Sequence, residues 1–188
     1  YFEKSSVGAT INALMAAVLA KGKTRMFNAA MEPEVDSTID LLLKMGAKIE
    51  GKGSTTLEIE GVEELFPVQM EMIPDRIEAG TFLVAAALST KPVTVCNCNP
   101  EHLTALLEKL RETGCGLQIN GGDITVNPPE TIKATNILTL PHPGFPTDLQ
   151  AQFTVLMCLA DGISFVEDTV FPDRFMHVAE LNRLQADI

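Results

Sequence analysis

An internal repeat constrains this chain more than any other feature. Ser6-Val7-Gly8-Ala9-Thr10 opens an apolar run over 11–20 that reads as a helix stopped at Gly22. A strand over 23–28 follows. A second helix starts at Glu32-Pro33-Glu34, with its apolar stripe at Ile39, Leu42, Leu43 and Met45, and stops at Gly46. Two short strands, near 48–51 and 56–60, close the unit. The same order returns from Glu78-Ala79-Gly80-Thr81: helix 82–89, strand 93–98, a helix from Pro100-Glu101-His102 to Gly114, then strands near 116–120 and 123–126 around Gly121-Gly122. A third copy opens at Thr147, with a helix to about 160, a strand over 163–167 and a helix from Pro172-Asp173-Arg174 to about 184. Gly8, Gly80 and Thr147 hold matching places, about 70 residues apart.

Each copy carries an apolar helix that so small a unit cannot bury alone. The copies should therefore turn these helices toward one another, with sheets and amphipathic helices outside. The expected class is α+β, a mixed α/β fold of repeated helix–strand–helix–hairpin units. The third copy has no hairpin, so the 188 residues are expected to be a piece of a longer protein. Proline-bearing stretches at 68–75 and 127–146 are the candidate linkers. The first is the better boundary and gives domains 1–73 and 74–188.

The bulk properties exclude some functions. A formal net charge of −11 argues against nonspecific nucleic-acid binding, which needs a basic face. No apolar run reaches membrane-spanning length, so no membrane partner is expected. Tyr1-Phe2-Glu3-Lys4 does not read as a signal peptide. The four cysteines are Cys96, Cys98, Cys115 and Cys158; the last two lie in apolar runs and read as buried thiols of a reducing cytoplasm. Cys96-Asn97-Cys98 with His102 does not have a standard zinc spacing, and no metal or other cofactor is expected.

The chemistry concentrates in one stretch, Pro141-His142-Pro143-Gly144-Phe145-Pro146-Thr147-Asp148-Leu149-Gln150. Its prolines stiffen a loop before an apolar helix. Asp148 sits where a helix cap belongs. It also has the form of a carboxylate on a stiff support, ready to take a proton from a substrate. At the other end of the chain, Ser6-Val7-Gly8 opens a helix, where backbone N–H groups and the helix dipole favour an anion, and Lys4 adds charge beside it. An ordinary Ser-capped helix start reads the same way. Pro74-Asp75-Arg76-Ile77-Glu78 reads as a charged helix end. Arg174 suits a ligand clamp or a salt bridge with Asp173 or Glu180. His142 and His177 are candidate acid/base groups with no nucleophile beside them.

Five runs carry a family resemblance: SVGAT at 6–10, NAAMEPE at 28–34, PDRIEAGT at 74–81, PGFPTDLQAQ at 143–152 and RFMHV at 174–178. Spread in order over nearly the whole chain, they resemble the UDP-N-acetylglucosamine 1-carboxyvinyltransferases of the EPSP synthase-like enolpyruvyl transferases. The resemblance implies two domains of repeated units, each an inside-out α/β barrel, with the active site between them. Residues 1–73 would be the last repeat of one domain, and 74–188 two repeats of the second. It implies transfer of enolpyruvyl from phosphoenolpyruvate to the 3-hydroxyl of UDP-N-acetylglucosamine, by addition and then loss of phosphate, at the start of peptidoglycan synthesis. It places Asp148 against that hydroxyl as base and ligand. Lys4, Ser5, Ser6, Val7 and Gly8 would lie against the diphosphate region, and Val170 against the nucleotide sugar.

The family's mobile loop, with its reactive cysteine or aspartate, and its further lysine, asparagine and arginine ligands are not in these residues. The chain is thus expected to need the remainder of its own chain or a complementary fragment, and to be inactive alone. Pro172-Asp173 stands where Glu-Asn is usual, and Gln185 where Gly is usual. The related shikimate 3-phosphate enzyme and a non-catalytic nucleotide-sugar-binding module are the alternatives. SVGAT and PGFPTDLQAQ speak against the first.

Overall fold

The computed structural model describes residues 1–188 and divides them into two compact units, Tyr1–Ile73 and Pro74–Ile188. In the first, α1 (Val7–Ala17) leads to β1 (Lys23–Phe27), α2 (Pro33–Lys44), β2 (Lys48–Glu50) and β3 (Thr56–Glu60). The sheet order is β1-β3-β2, antiparallel throughout. Strand alternation sorts its faces. Met26, Ile49, Leu57 and Ile59 turn inward to meet Leu14 of α1 and Val35 and Ile39 of α2. On the other face Glu60 lies between Lys48 (2.7 Å) and Lys23 (3.8 Å), and Arg25 meets Glu58 at 2.9 Å. These cross-strand ion pairs are solvent-exposed and set register more than stability.

The second unit repeats the order. α3 (Arg76–Ala87), β4 (Val93–Val95), a 3-10 turn (Pro100–Leu103) running into α4 (Thr104–Glu112), β5 (Gly116–Asn120) and β6 (Asp123–Asn127) give the sheet order β4-β6-β5. Matching backbone devices recur in both copies. Asn28 and Asn97 follow the first strand of each with φ of 59° and 57°. Gly46 and Gly114 end the second helix of each with φ of 100° and 95°. In each case the next N–H reaches back to close the helix, Ala47 to the Leu42 carbonyl (2.9 Å) and Cys115 to that of Leu110 (3.2 Å).

β7 (Ile137–Thr139) precedes the third copy, which runs as a 3-10 turn (Thr147–Leu149) continuing into α5 (Gln150–Met157), β8 (Val166–Asp168) and α6 (Met176–Arg183). Its last helix ends like the other two. Ala186 N–H reaches the Leu181 carbonyl at 3.1 Å, and Gln185 takes the left-handed place at φ 68°. The departure from glycine at 185 thus keeps the turn and accepts the strain of a side chain there.

Several elements differ from the sequence reading. α3 begins at Arg76, not Phe82, because the Asp75 carboxylate accepts the N–H groups of Ile77 (2.8 Å) and Glu78 (3.1 Å). β4 stops at Val95, short of Cys98. β7 lies inside the stretch read as a linker. It pairs in parallel with β8, which runs from Val166 rather than 163, because Phe165 N–H is taken by the Asn136 side chain. α6 begins at Met176 rather than Pro172. The backbone over 171–175 is used in tight turns, with Arg174 N–H on the Phe171 carbonyl at 3.0 Å and Phe175 N–H on that of Asp173 at 2.9 Å. Cys115 is buried as expected, but Cys158 is only half-buried, Cys98 is the second buried thiol, and all four cysteines are unpaired. No helix is long and apolar enough to cross a membrane.

The core of this unit is α3 against α5 and α4. Leu83, Leu106, Leu110, Leu149, Phe153 and Leu156 are fully enclosed, and Phe145 meets the Phe153 ring edge-on at a centroid distance of 5.3 Å. Gly80 makes the helix approach possible. A Cβ there would lie 2.5 Å from Leu149 Cδ1 and 3.1 Å from Leu106 Cδ2. Gly80→Ala is expected to destabilise the unit by about 1–3 kcal/mol through overpacking, read from the urea midpoint. Gln185→Gly is expected to act the other way, relieving about 1 kcal/mol of left-handed strain, read as slower amide exchange in the last turn of α6.

Candidate active site

Asp148 does not cap its helix. The residue at the cap position is Pro146, and no side chain caps this helix start. The Asp148 carboxylate instead receives Arg174 Nη1 at 2.6 Å, with both side chains close to half exposed. Arg174 therefore pairs with neither Asp173 nor Glu180; Glu180 is taken by Arg183 at 2.7 Å. Arg174 also donates to Thr147 Oγ1 at 3.3 Å and lies 5.6 Å from the Phe171 ring centroid. The loop beneath Asp148 is held at several points. Gly144 N–H reaches the Pro141 carbonyl (2.9 Å), Leu140 N–H reaches that of Phe145 (3.0 Å), and Phe145 and Leu149 are buried on either side of the turn.

Behind this surface lies a residue that the sequence reading passed over. Asp168, 5% exposed at the end of β8, accepts four hydrogen bonds. Oδ1 takes Thr139 Oγ1 (2.7 Å), Val170 N–H (3.0 Å) and Phe171 N–H (2.7 Å); Oδ2 takes Thr147 Oγ1 (2.6 Å). Burial raises the carboxyl pKa, but the bonds from Phe171, Thr147, Thr139 and Val170 outweigh it and leave the pKa below the usual 3.8. The carboxylate joins the segments of two expected site residues, Asp148 and the half-buried Val170. An acidic residue two places before Val170 was the available signal, but nothing in the sequence says that it turns inward.

The other expected residues belong to the first unit. Ser6 caps α1 in the ordinary way, accepting Ala9 N–H at 3.3 Å. Thr10 is buried and accepts Ala30 N–H at 3.0 Å, which ties the helix start to the NAAMEPE segment. Lys4 and Gly8 are exposed, Ser5 and Val7 half-buried, and nothing lies within 4 Å of where a Cβ on Gly8 would stand. The N–H groups of this first turn have no partner within the helix.

Neither histidine has a nucleophile beside it, and only His177 lies near the Asp148–Arg174 pair. His142 lines a cavity of about 20 Å³ with Arg76, His102 and Leu149, room for roughly one water. His177 has its pKa lowered by burial and by the nearby Arg174 charge. No three His, Cys, Asp or Glu side chains gather where they could hold a metal ion.

The description EPSP synthase (3-phosphoshikimate 1-carboxyvinyltransferase) matches residues 1–188. The chain belongs to this family. Among curated relatives, the UDP-N-acetylglucosamine 1-carboxyvinyltransferase of Desulfosudis oleivorans is 52% identical over the whole chain, which covers 45% of that protein. The one from Chloroherpeton thalassium is 54% identical, with 44% of it covered. The chain thus spans less than half the length of the relatives it matches. Among solved structures, the enolpyruvyl transferase NikO from Streptomyces tendae superposes with a TM-score of 0.82 at 25% identity, over 94% of this chain and 42% of that one. An EPSP synthase from Acinetobacter baumannii shares the fold, with a TM-score of 0.65 at 22% identity over 96% of this chain and 43% of that one. The fold is a mixed helix-and-strand one, a partial enolpyruvyl transferase architecture.

Asp168 links this site to stability. Its folded pKa is depressed, so its contribution is present above pH 3.8 and is lost as pH falls through the folded value. Asp168→Asn is expected to cost about 1–3 kcal/mol at pH 7. The gap from the unsubstituted chain should narrow below pH 3.8, read by urea unfolding at pH 7 and pH 3.

Proposed function

We propose that this chain is part of an enzyme that transfers enolpyruvyl from phosphoenolpyruvate to the 3-hydroxyl of UDP-N-acetylglucosamine, releasing phosphate in the first committed step of peptidoglycan synthesis. Tyr1–Ile73 is read as the last repeat of one enolpyruvyl transferase domain, and Pro74–Ile188 as repeats of the second.

The observation that carries the reading is Asp148. Its carboxylate is neither buried nor used as a cap, yet its backbone is held from both sides, and a cation stands at 2.6 Å. A sugar hydroxyl is a poor nucleophile at neutral pH, and a positioned carboxylate that accepts its proton is worth about 10²–10⁴ in rate. Arg174, at 2.6 Å, orients that carboxylate until a substrate hydroxyl arrives. The open first turn of α1, with Lys4 beside it, suits a diphosphate. Lys4, Ser5, Ser6, Val7 and Gly8 are read as its ligands, and Val170 as a contact to the nucleotide sugar. The close relatives carry the name of the nucleotide-sugar enzyme, which supports that acceptor over shikimate 3-phosphate.

The test uses a protein of the relatives' full length carrying these residues. Asp148→Asn is expected to lower kcat by about 100-fold or more. Lys4→Ala is expected to weaken UDP-N-acetylglucosamine binding by about 10-fold, read by calorimetry. Unaltered rate and affinity in both variants, or turnover of shikimate 3-phosphate in place of the nucleotide sugar, would overturn the reading.

A further inference from the structure

We propose that Asp168 and Thr147 are positioning residues for the reaction, and that they act on Asp148 through Arg174. The inference rests on the reading of Asp148 as the group that faces the acceptor hydroxyl.

The direction of each proton makes the argument. A carboxylate can only accept, so both oxygens of Asp168 must be met by donors. Thr147 therefore spends its single hydroxyl proton on Asp168 Oδ2, at 2.6 Å. Its remaining lone pairs are left for Arg174 Nη1, at 3.3 Å, and that same nitrogen reaches Asp148 Oδ1 at 2.6 Å. A buried anion thus fixes which way a half-buried hydroxyl points. The hydroxyl fixes where an exposed guanidinium sits, and the guanidinium fixes the Asp148 carboxylate. Both side chains are solvent-exposed, and the long Arg174 chain above all would sample many rotamers without such an anchor.

The other bonds of Asp168 extend the effect. Through Oδ1 it holds Thr139 at the end of β7 and the N–H groups of Val170 and Phe171. The Phe171 ring in turn lies against Arg174. One carboxylate therefore sets the position of Val170 and of both members of the Asp148–Arg174 pair. Displacement of a reacting group by about 1 Å is enough to cost about 10²-fold in rate.

Two substitutions separate this from general support of the fold. Thr147→Val keeps the shape of the side chain and removes the hydroxyl. Asp168→Asn keeps Oδ1 for its three donors, but turns an NH₂ toward Thr147 and so reverses that one bond. In a protein of the relatives' full length carrying these residues, each is expected to lower kcat by about 10- to 100-fold, with KM for UDP-N-acetylglucosamine changed less than threefold. Thr147→Ser, which restores the hydroxyl, is expected to recover kcat to within about threefold. The Thr147→Val/Asp168→Asn double variant is expected to be no slower than the slower single variant, because both break one chain of contacts. Should Asp168→Asn fail to fold, Thr147→Val against Thr147→Ser decides alone. The inference is overturned if Asp148→Asn abolishes turnover while Thr147→Val keeps kcat within twofold, or if the single effects multiply in the double variant. If Asp148→Asn itself leaves kcat unchanged, the reading of Asp148 falls, and the inference falls with it.

Discussion

In the second unit, the close approach of α3 to the turn that opens α5 organises both the core and the site. α3 and α5 are apolar around much of their circumference, and neither can stand in water alone. They meet where α3 has no side chain, at Gly80, and Leu149 fills the space. Leu149 directly follows Asp148. The contact that buries the helices therefore also fixes the backbone of the residue with the most chemical promise. Phe145, packed edge-on to Phe153, does the same on the other side of the turn.

A second constraint is that a buried carboxylate must find donors for its oxygens or lose its charge. Asp168 finds them at the end of β7, in the turn that opens α5 and on the loop just past its own strand, and so gathers segments that are far apart in sequence. This divides the labour between two acidic residues. Asp168 is enclosed and holds structure. Asp148 is exposed, and its ion pair with Arg174 contributes little to folding, about 0–1 kcal/mol for pairs of this kind. An ion pair that stability does not require is available to be broken and remade around a ligand.

The repeat was legible because it is written in residues whose physics is local. Gly46 and Gly114 mark left-handed helix ends, Pro33 and Pro100 mark first turns, and apolar residues at helical spacing mark the buried faces of α2 (Ile39, Leu42, though Leu43 of that stripe is exposed) and α4 (Leu106, Leu107, Leu110). What was missed depends on partners. β7 is three residues long and has no pattern of its own; it exists because β8 lies beside it. The register of β8 follows from Asn136 claiming Phe165, and the late start of α6 from turns closed around Asp173 and Arg174. Asp75 is the exception: its carboxylate starts the helix six residues before the apolar run through bonds only two and three residues long, a local cap signal that the apolar pattern masked.

The sequence alone determined the repeated order of elements, the glycine stops after the second helices and the stiff proline-bearing loop that carries Asp148, because backbone preferences and hydrophobic period act over a few residues at a time. It also carried the family motifs. Only the tertiary structure decided what Asp148 does with its charge. A carboxylate after Pro-Thr is equally suited to capping a helix or to pairing with an arginine. The choice was made by Arg174, 26 positions further along, and by Asp168, whose burial turns the Thr147 hydroxyl away from the helix end. Contacts of that range depend on how segments close in space, which no local pattern of residues records.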